Sequence, residues 1–267
     1  MNIKSTGLIY FSPTGTTRKI LEGIAQGFNA QKIEHLDLTL SESRKREYGD
    51  LYYEFSIIGT PVYGGRVPIY MVDALNHMKA ANIPAVIIVV YGNREYEDAL
   101  IELRDLTINR GFLPVGGGVF IGEHSLSNKE IPIALGRPDK EDIEKARSLG
   151  KRIRNKIMEL SSIDEISPLN VPGNFPYEEK KRGNKFSPVT VEELCIKCGR
   201  CTQVCPTMAV TMNESVTTDK NECIHCCSCI KNCPTGARIM DDPHGKDIAN
   251  WLYSNCQKRK EPETYMI

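Results

Sequence analysis

Ten cysteines occur in this chain of 267 residues, and all of them lie between residues 195 and 267. Eight fall into two runs of one pattern. Cys195-x-x-Cys198-x-x-Cys201-x-x-x-Cys205-Pro206 recurs 28 residues later as Cys223-x-x-Cys226-x-x-Cys229-x-x-x-Cys233-Pro234. The likeness extends beyond the cysteines, since Ile196 matches Ile224, Thr207 matches Thr235 and Ala209 matches Ala237. Thiolates are soft ligands, and three at this spacing can converge on one cube of iron and sulfide. The proline marks a turn that sends the fourth cysteine away, and in runs of this type the fourth cysteine ligates the other cluster. One 4Fe–4S cluster is therefore expected on Cys195, Cys198, Cys201 and Cys233, and a second on Cys223, Cys226, Cys229 and Cys205. A zinc ribbon also uses four cysteines, but it does not predict a three-plus-one spacing twice, each run closed by proline. Two cysteines remain. Cys227 aligns with Gly199 and so stands outside the ligand register, and Cys256, in the C-terminal tail, reads as a buried apolar residue or a free thiol. His225, inside the second run, is expected to be exposed rather than ligating.

The first part of the chain holds a different kind of chemistry. Ser12-Pro13-Thr14-Gly15-Thr16-Thr17 follows a short apolar strand and opens a helix. Backbone N–H groups at a helix start, surrounded by hydroxyl donors, suit a phosphate. The loop is neither Gly-x-x-x-x-Gly-Lys-Ser/Thr nor Gly-x-Gly-x-x-Gly, which argues against ATP and against a Rossmann dinucleotide. Thr60-Pro61-Val62-Tyr63-Gly64-Gly65 sets an aromatic beside two glycines, and Gly92-Asn93-Arg94-Glu95-Tyr96-Glu97-Asp98 is a second aromatic-bearing loop. Together the three loops could hold a phosphate at one end and a flat ring between the others. Gly122-Glu123-His124-Ser125 adds a histidine, whose ordinary pKa range suits acid catalysis but which also suits a structural hydrogen bond.

These loops need a frame with its strand ends together. Short apolar runs at 7–11, 33–38, 55–59, 85–91 and 115–121 read as strands. Between them, helical periodicity appears at 20–28, 67–78, 96–110 and 139–160, the last opened by Asp139 and Asp142 as an acidic capping box. The run Ala-Val-Ile-Ile-Val-Val-Tyr at 85–91 lacks alternation, as expected for a strand covered by helices on both faces. The expectation is an α/β fold with a five-stranded doubly wound parallel sheet over residues 1–160. Such sheets bind ligands beyond the carboxyl ends of their strands. Residues 161–188 read as a proline-bearing linker with Phe175 and Tyr177 as packing candidates, 189–242 as a small α+β metal domain, and 243–267 as a tail. Within the metal domain, 209–212 and 238–240 are expected as short strands, and 216–218 is placed to pair with the first.

Charge adds little. Lysine plus arginine and aspartate plus glutamate both number 34, and the segments 1–160, 161–194 and 195–267 carry +1, −2 and +1. Nothing in this balance points to nucleic acid or an anionic membrane. No apolar run approaches the roughly 18 residues that a membrane span needs. The N-terminal residues show no cleavage signature, and the cysteines read as ligands, so a cytoplasmic setting is expected.

In order and spacing, the loops of residues 1–160 resemble those of the flavodoxin family: Ser-x-Thr-Gly-x-Thr, Thr-Pro-Val-Tyr-Gly-Gly and Gly-Asn-Arg-x-Tyr-x-Asp. The resemblance implies FMN, with Ser12, Thr14, Gly15, Thr16 and Thr17 around its phosphate. It further implies that Thr60, Pro61, Val62, Tyr63, Gly64, Gly65, Tyr91, Gly92, Asn93 and Tyr96, with Asp98, line the isoalloxazine. The cysteine runs resemble those of bacterial two-cluster ferredoxins, and the whole chain is similar to flavodoxin–ferredoxin fusion proteins of anaerobic bacteria and archaea. Such a chain is expected to exchange electrons between FMN, two 4Fe–4S clusters and redox protein partners. The alternative is a reductase of a small molecule at the flavin, with His124 as its acid. No second nucleotide motif supports direct use of NAD(P)H.

Overall fold

The computed structural model describes residues 3–179 and 185–267. Met1, Asn2 and the part of the expected linker at 180–184 lie outside the described residues.

The first part of the chain runs β1 (Ser5–Tyr10), α1 (Thr16–Phe28), β2 (Lys32–Asp37), α2 (Ser41–Arg44), β3 (Gly49–Asp50), β4 (Phe55–Pro61), α3 (Ile69–Asn76), β5 (Met78–Lys79), β6 (Ile83–Tyr91), α4 (Ala99–Asn109), β7 (Phe112–Ile121) and α5 (Lys140–Glu159). The main sheet has the order β12 (Glu263–Met266, from the end of the chain)-β7-β6-β4-β1-β2. Its five strands from the first part are parallel. Numbered among themselves, they read 2-1-3-4-5, the flavodoxin-like form of the doubly wound sheet. All nine residues of β6 are buried, because apolar clusters cover both faces of the sheet. On one face, α1 and α5 pack through Ile20, Leu21, Ile24, Leu149 and Ile153. On the other, Met71, Leu75, Leu100 and Leu103 of α3 and α4 do the same. The strand order reverses beside β1, so the carboxyl ends of β1 and β4 form the crevice where a ligand is expected.

The capping box forms: Asp139 accepts from the backbone N–H groups of Glu141 and Asp142, and Asp142 accepts from that of Asp139. The helix expected from residue 96 begins at Ala99 instead. Glu97 takes a left-handed φ of 45°, which breaks the turn before Asp98 can start the helix.

The second part contains β8 (Val189–Thr190), α6 (Arg200–Gln203), β9 (Val210–Met212), β10 (Val216–Thr218), α7 (Ser228–Lys231), β11 (Arg238–Ile239), α8 (Pro243–Asn255) and β12 (Glu263–Met266). β9 and β10 pair antiparallel as the sequence predicts, and β11 pairs with β8. The tail differs from its sequence reading. Asp242 caps α8 by accepting from the His244 N–H, with Pro243 in the first turn. β12 then joins the main sheet antiparallel to β7, opposite Gly116, Gly117, Gly118 and Val119. The sheet therefore has six strands, not five, and its sixth is not parallel. An edge rich in glycine leaves its N–H and C=O groups open to a partner, and the tail supplies one.

The segment after α5 is packed rather than loose. Leu169 is buried, and the Tyr177 hydroxyl donates to Asp105 at 2.7 Å, whereas Phe175 is 77% exposed. No helix among the described residues is long and apolar enough to cross a membrane.

Candidate functional site

Four loops meet at the carboxyl end of the sheet. Gly15, with φ 80°, turns the chain from β1 into α1, which begins without a side-chain cap. Ser12 anchors the loop: its N–H donates to Thr39 Oγ1 at 2.9 Å, and its Oγ accepts from the Arg18 N–H at 3.1 Å. The Thr17 hydroxyl is buried here with no hydrogen-bond partner among the described residues. A buried hydroxyl without a partner is costly, and a ligand phosphate at an uncapped helix start would satisfy it. After β4 the chain doubles back at Tyr63–Arg66, with φ of 58° at Gly64 and 74° at Gly65. The φ at Gly65 is one that L side chains rarely adopt, and a Cβ there would also stand 2.8 Å from the Glu97 Cβ, so glycine is favoured there. After β7, His124 packs close against the loop that follows β6. A Cβ on Gly92 would stand 2.3 Å from its Cδ2.

Together they line a cavity of about 460 Å³. It is lined by Ser12, Pro13, Thr14, Thr16 and Thr17, by Pro61 to Gly64, by Tyr91 and Gly92, and by Gly122 to Leu126. Its size lies in the range of small-molecule and cofactor sites, ~300–1,000 Å³. The far wall comes from the second part of the chain: Phe186, Cys223, Ile224, His225, Cys226, His244 and Ile248. The two parts are joined beside it. The Ser228 hydroxyl donates to Pro13 O at 2.8 Å, and Lys231 reaches both Glu123 and Ser127 O. Burial pushes the Tyr63 hydroxyl well above its ordinary pKa, and the nearby Cys226, Cys227 and Cys223 thiols add to this.

Several residues expected at the ring do not face this cavity. The Thr60 hydroxyl turns to Pro61 O. Asn93 is buried and donates to the carbonyls of Cys256 and Lys258 at 2.6 and 3.0 Å. The Tyr96 hydroxyl pairs with Glu263 and Tyr265 of the tail strand. The Asp98 carboxylate accepts from the backbone N–H groups of Asn174 and Glu178, both at 2.8 Å. Gly15 and Gly65 shape the turns without lining the cavity. The side chains of Asn93, Tyr96 and Asp98 therefore serve the tail and the packed segment after α5, a role the loop's own sequence could not reveal.

His124 borders the cavity, and its Nδ1 accepts from the Leu126 N–H at 3.1 Å. Burial, with the positive charges of Lys231 and Arg94, lowers its pKa to about 4. At neutral pH it is therefore an uncharged ring whose remaining N–H is on Nε2.

The cysteines surround two further cavities. Cys195, Cys198, Cys201 and Cys233 line one, with Val216 and Arg238. Cys205, Cys223, Cys226 and Cys229 line the other, with Val210 and Thr218. The two runs are alike in backbone as well as in sequence. Left-handed residues recur at the same 28-residue offset: Lys197 with His225, Gly199 with Cys227, and Met208 with Gly236. Cys227 thus fills a backbone position that its counterpart leaves to glycine. It borders the second cavity but packs with Leu126, Ile133, Ala249 and Leu252. His225 is not exposed as the sequence predicts: its ring stacks on Phe186 at 3.7 Å, and its Nε2 meets Phe186 O. Among the described residues, no three His, Cys, Asp or Glu side chains converge closely enough to hold a single metal ion. Each set of four thiols lines a small cavity.

Residues 194–237 match the 4Fe-4S dicluster domain family. The match spans both cysteine runs. No curated protein matches the chain. Among solved structures, a flavodoxin from the domain Archaea aligns at 13% identity over 58% of this chain and 99% of its own, with a TM-score of 0.39. Flavodoxin 2 from Bacillus cereus aligns at 17% identity over 57% of this chain and 99% of its own, with a TM-score of 0.40. A Fusobacterium nucleatum flavodoxin bound to flavin mononucleotide aligns at 14% identity over 59% and 98%, with a TM-score of 0.38. The strand order itself makes the first part flavodoxin-like. The chain thus joins a flavodoxin-like domain to a 4Fe–4S dicluster segment, and its general function is electron transfer.

Proposed function

We propose that the chain binds FMN in the large cavity and one 4Fe–4S cluster in each cysteine cage, and that it passes electrons between them and external redox proteins. One observation carries this reading: Cys223 and Cys226 border both the large cavity and the second cage. A single wall thus separates the flavin site from the nearer cluster. Bound FMN accepts one or two electrons and each cluster one, so the assembly can exchange two-electron and one-electron couples. The protein's part is to hold and screen. Ser12, Thr14, Thr16 and Thr17 offer hydroxyl and backbone donors to the phosphate, and Thr17 has one free for it. Tyr63, Tyr91 and Ile224 provide apolar surface for the ring. Ligation of the first cluster falls to Cys195, Cys198, Cys201 and Cys233, and of the second to Cys205, Cys223, Cys226 and Cys229. Cys198 is exposed and Ile196 is 65% exposed, so the first cage offers a surface to an external partner. The uncharged state of His124 favours a carrier over a reductase, because an acid with a pKa of about 4 is already deprotonated at neutral pH.

The test is anaerobic purification followed by redox titration with visible and EPR detection. The expected protein is brown, with one acid-extractable FMN and iron and sulfide for two 4Fe–4S clusters per chain. Zinc in place of iron, or no extractable flavin, overturns the reading.

A further inference from the structure

Arg238 is only 2% exposed, and it stands between the two cages. It borders the first, while its Nη2 lies 3.9 Å from the Sγ of Cys229 in the second. Nη1 donates to Thr190 Oγ1 at 2.6 Å, and Nη2 donates to Pro188 O at 3.1 Å and to Thr218 Oγ1. These oxygens orient the guanidinium without neutralising it. Its Nε is buried and has no partner among the described residues. A buried charge is costly unless something of opposite sign faces it. A cluster with four thiolates is an anion, and reduction adds one further negative charge. The internal repeat sharpens the point. At the same offset of 28 residues, Val210 stands where Arg238 does, and Val210 borders the second cage. A positive charge has replaced an apolar side chain in one repeat only.

We infer that Arg238 is a positioning charge that raises the reduction potential of both clusters, because it holds a positive charge in the wall between the cages. Net charge and hydrogen bonds to the sulfurs are among the quantities that set cluster potentials. The inference rests on the reading that each cage holds a 4Fe–4S cluster. In the unaltered protein, the hydrogen bonds that Arg238 donates to Thr190, Thr218 and Pro188 keep the charge fixed, so its effect does not depend on a mobile side chain.

The test compares the full chain with Arg238→Gln and Arg238→Lys, all purified anaerobically, by iron and sulfide content and by EPR-monitored redox titration. With clusters intact, Arg238→Gln is expected to lower both midpoint potentials. The loss of electron affinity should be at least about tenfold per cluster, or 59 mV for a one-electron couple. Arg238→Lys should stay nearer the parent. Intact clusters with unchanged potentials in Arg238→Gln overturn the inference. If Arg238→Gln loses its clusters, their retention in Arg238→Lys supports a role for charge. Loss from both variants assigns the residue a role in shape alone and overturns the inference. A parent protein without two 4Fe–4S signals overturns the cluster reading, and this inference with it.

Discussion

His124 shows how a residue type can point to one chemistry and its surroundings to another. In sequence it is a histidine in the right loop for a proton donor. In the fold its ring lies against Gly92, its Nδ1 is taken by the Leu126 N–H, and burial holds its pKa at about 4. A positioned acid typically contributes ~10²–10⁴-fold. His124→Ala should therefore leave flavin reduction through the clusters within about twofold of the parent, far below that range. Stopped-flow bleaching of the flavin under anaerobic conditions measures this, and a hundredfold loss with full cofactor content would show that His124 takes part in flavin reduction itself. The same environment fixes a pH dependence. The unfolded chain binds a proton at His124 below about 6.5, while the folded chain resists it down to about 4. Between these values the unfolded state holds more protons, so stability falls as pH drops through the window and the penalty is complete below about 4. Its ceiling is about 3 kcal/mol, from ~1.4 kcal/mol per pKa unit. Urea unfolding at pH 4.5 and pH 7 should show a smaller difference in His124→Ala than in the parent.

At the scale of elements, the tail carries most of what the sequence did not disclose. The five parallel strands, their helices and the capping box at Asp139 were legible because each rests on local periodicity or a local hydrogen bond. The strand at 263–266 was not, because Glu-Thr-Tyr-Met has no clear apolar alternation and its partner is a distant glycine-rich edge. The same strand and the chain leading to it engage the side chains of Asn93 and Tyr96, which the loop's sequence alone assigns to the flavin. Loop residues look alike whether they serve a ligand or a neighbouring segment, and only the fold brings Cys256, Lys258 and Glu263 to them. Asn93→Ala and Tyr96→Phe are accordingly expected to retain the parent's flavin content, and equilibrium dialysis with FMN checks this. The tail is also fixed by a buried ion pair. Arg137 meets Asp142 through Nε at 2.8 Å and donates to Lys260 O, while Asp142 is fully buried. Arg137→Ala leaves that carboxylate without its cation, and breaking a buried pair from one side typically costs ~3–5 kcal/mol. A variant whose urea midpoint is unchanged would show that the ion pair contributes little.

At the scale of the whole molecule, the arrangement puts the redox sites in a definite order. The loop after β1 touches the second cysteine run directly, through the hydrogen bond from Ser228 to Pro13. The wall that Cys223 and Cys226 share with the large cavity belongs to the second cage alone, and no cysteine of the first cage lines that cavity. Arg44 adds a third link by donating to Pro206 O, beside Cys205. Electrons bound for the flavin should therefore pass last through the second cage. Under the proposed ligation, in which the fourth ligand is exchanged between the runs, the variant that severs this step lies in the first run. Cys205→Ala is expected to damage the cluster on Cys223, Cys226 and Cys229, spare the one on Cys195, Cys198 and Cys201, and greatly slow flavin reduction. Cys233→Ala should do the reverse: the first cluster is damaged, while a small one-electron donor that reaches the second cluster still reduces the flavin. EPR of each variant identifies the surviving cluster, and rapid-mixing absorbance follows the flavin. If Cys205→Ala spared the second cluster, the crossed ligation would be wrong. If flavin reduction survived its loss at the parent rate, the ligation could stand, but the shared wall would no longer mark the electron's path.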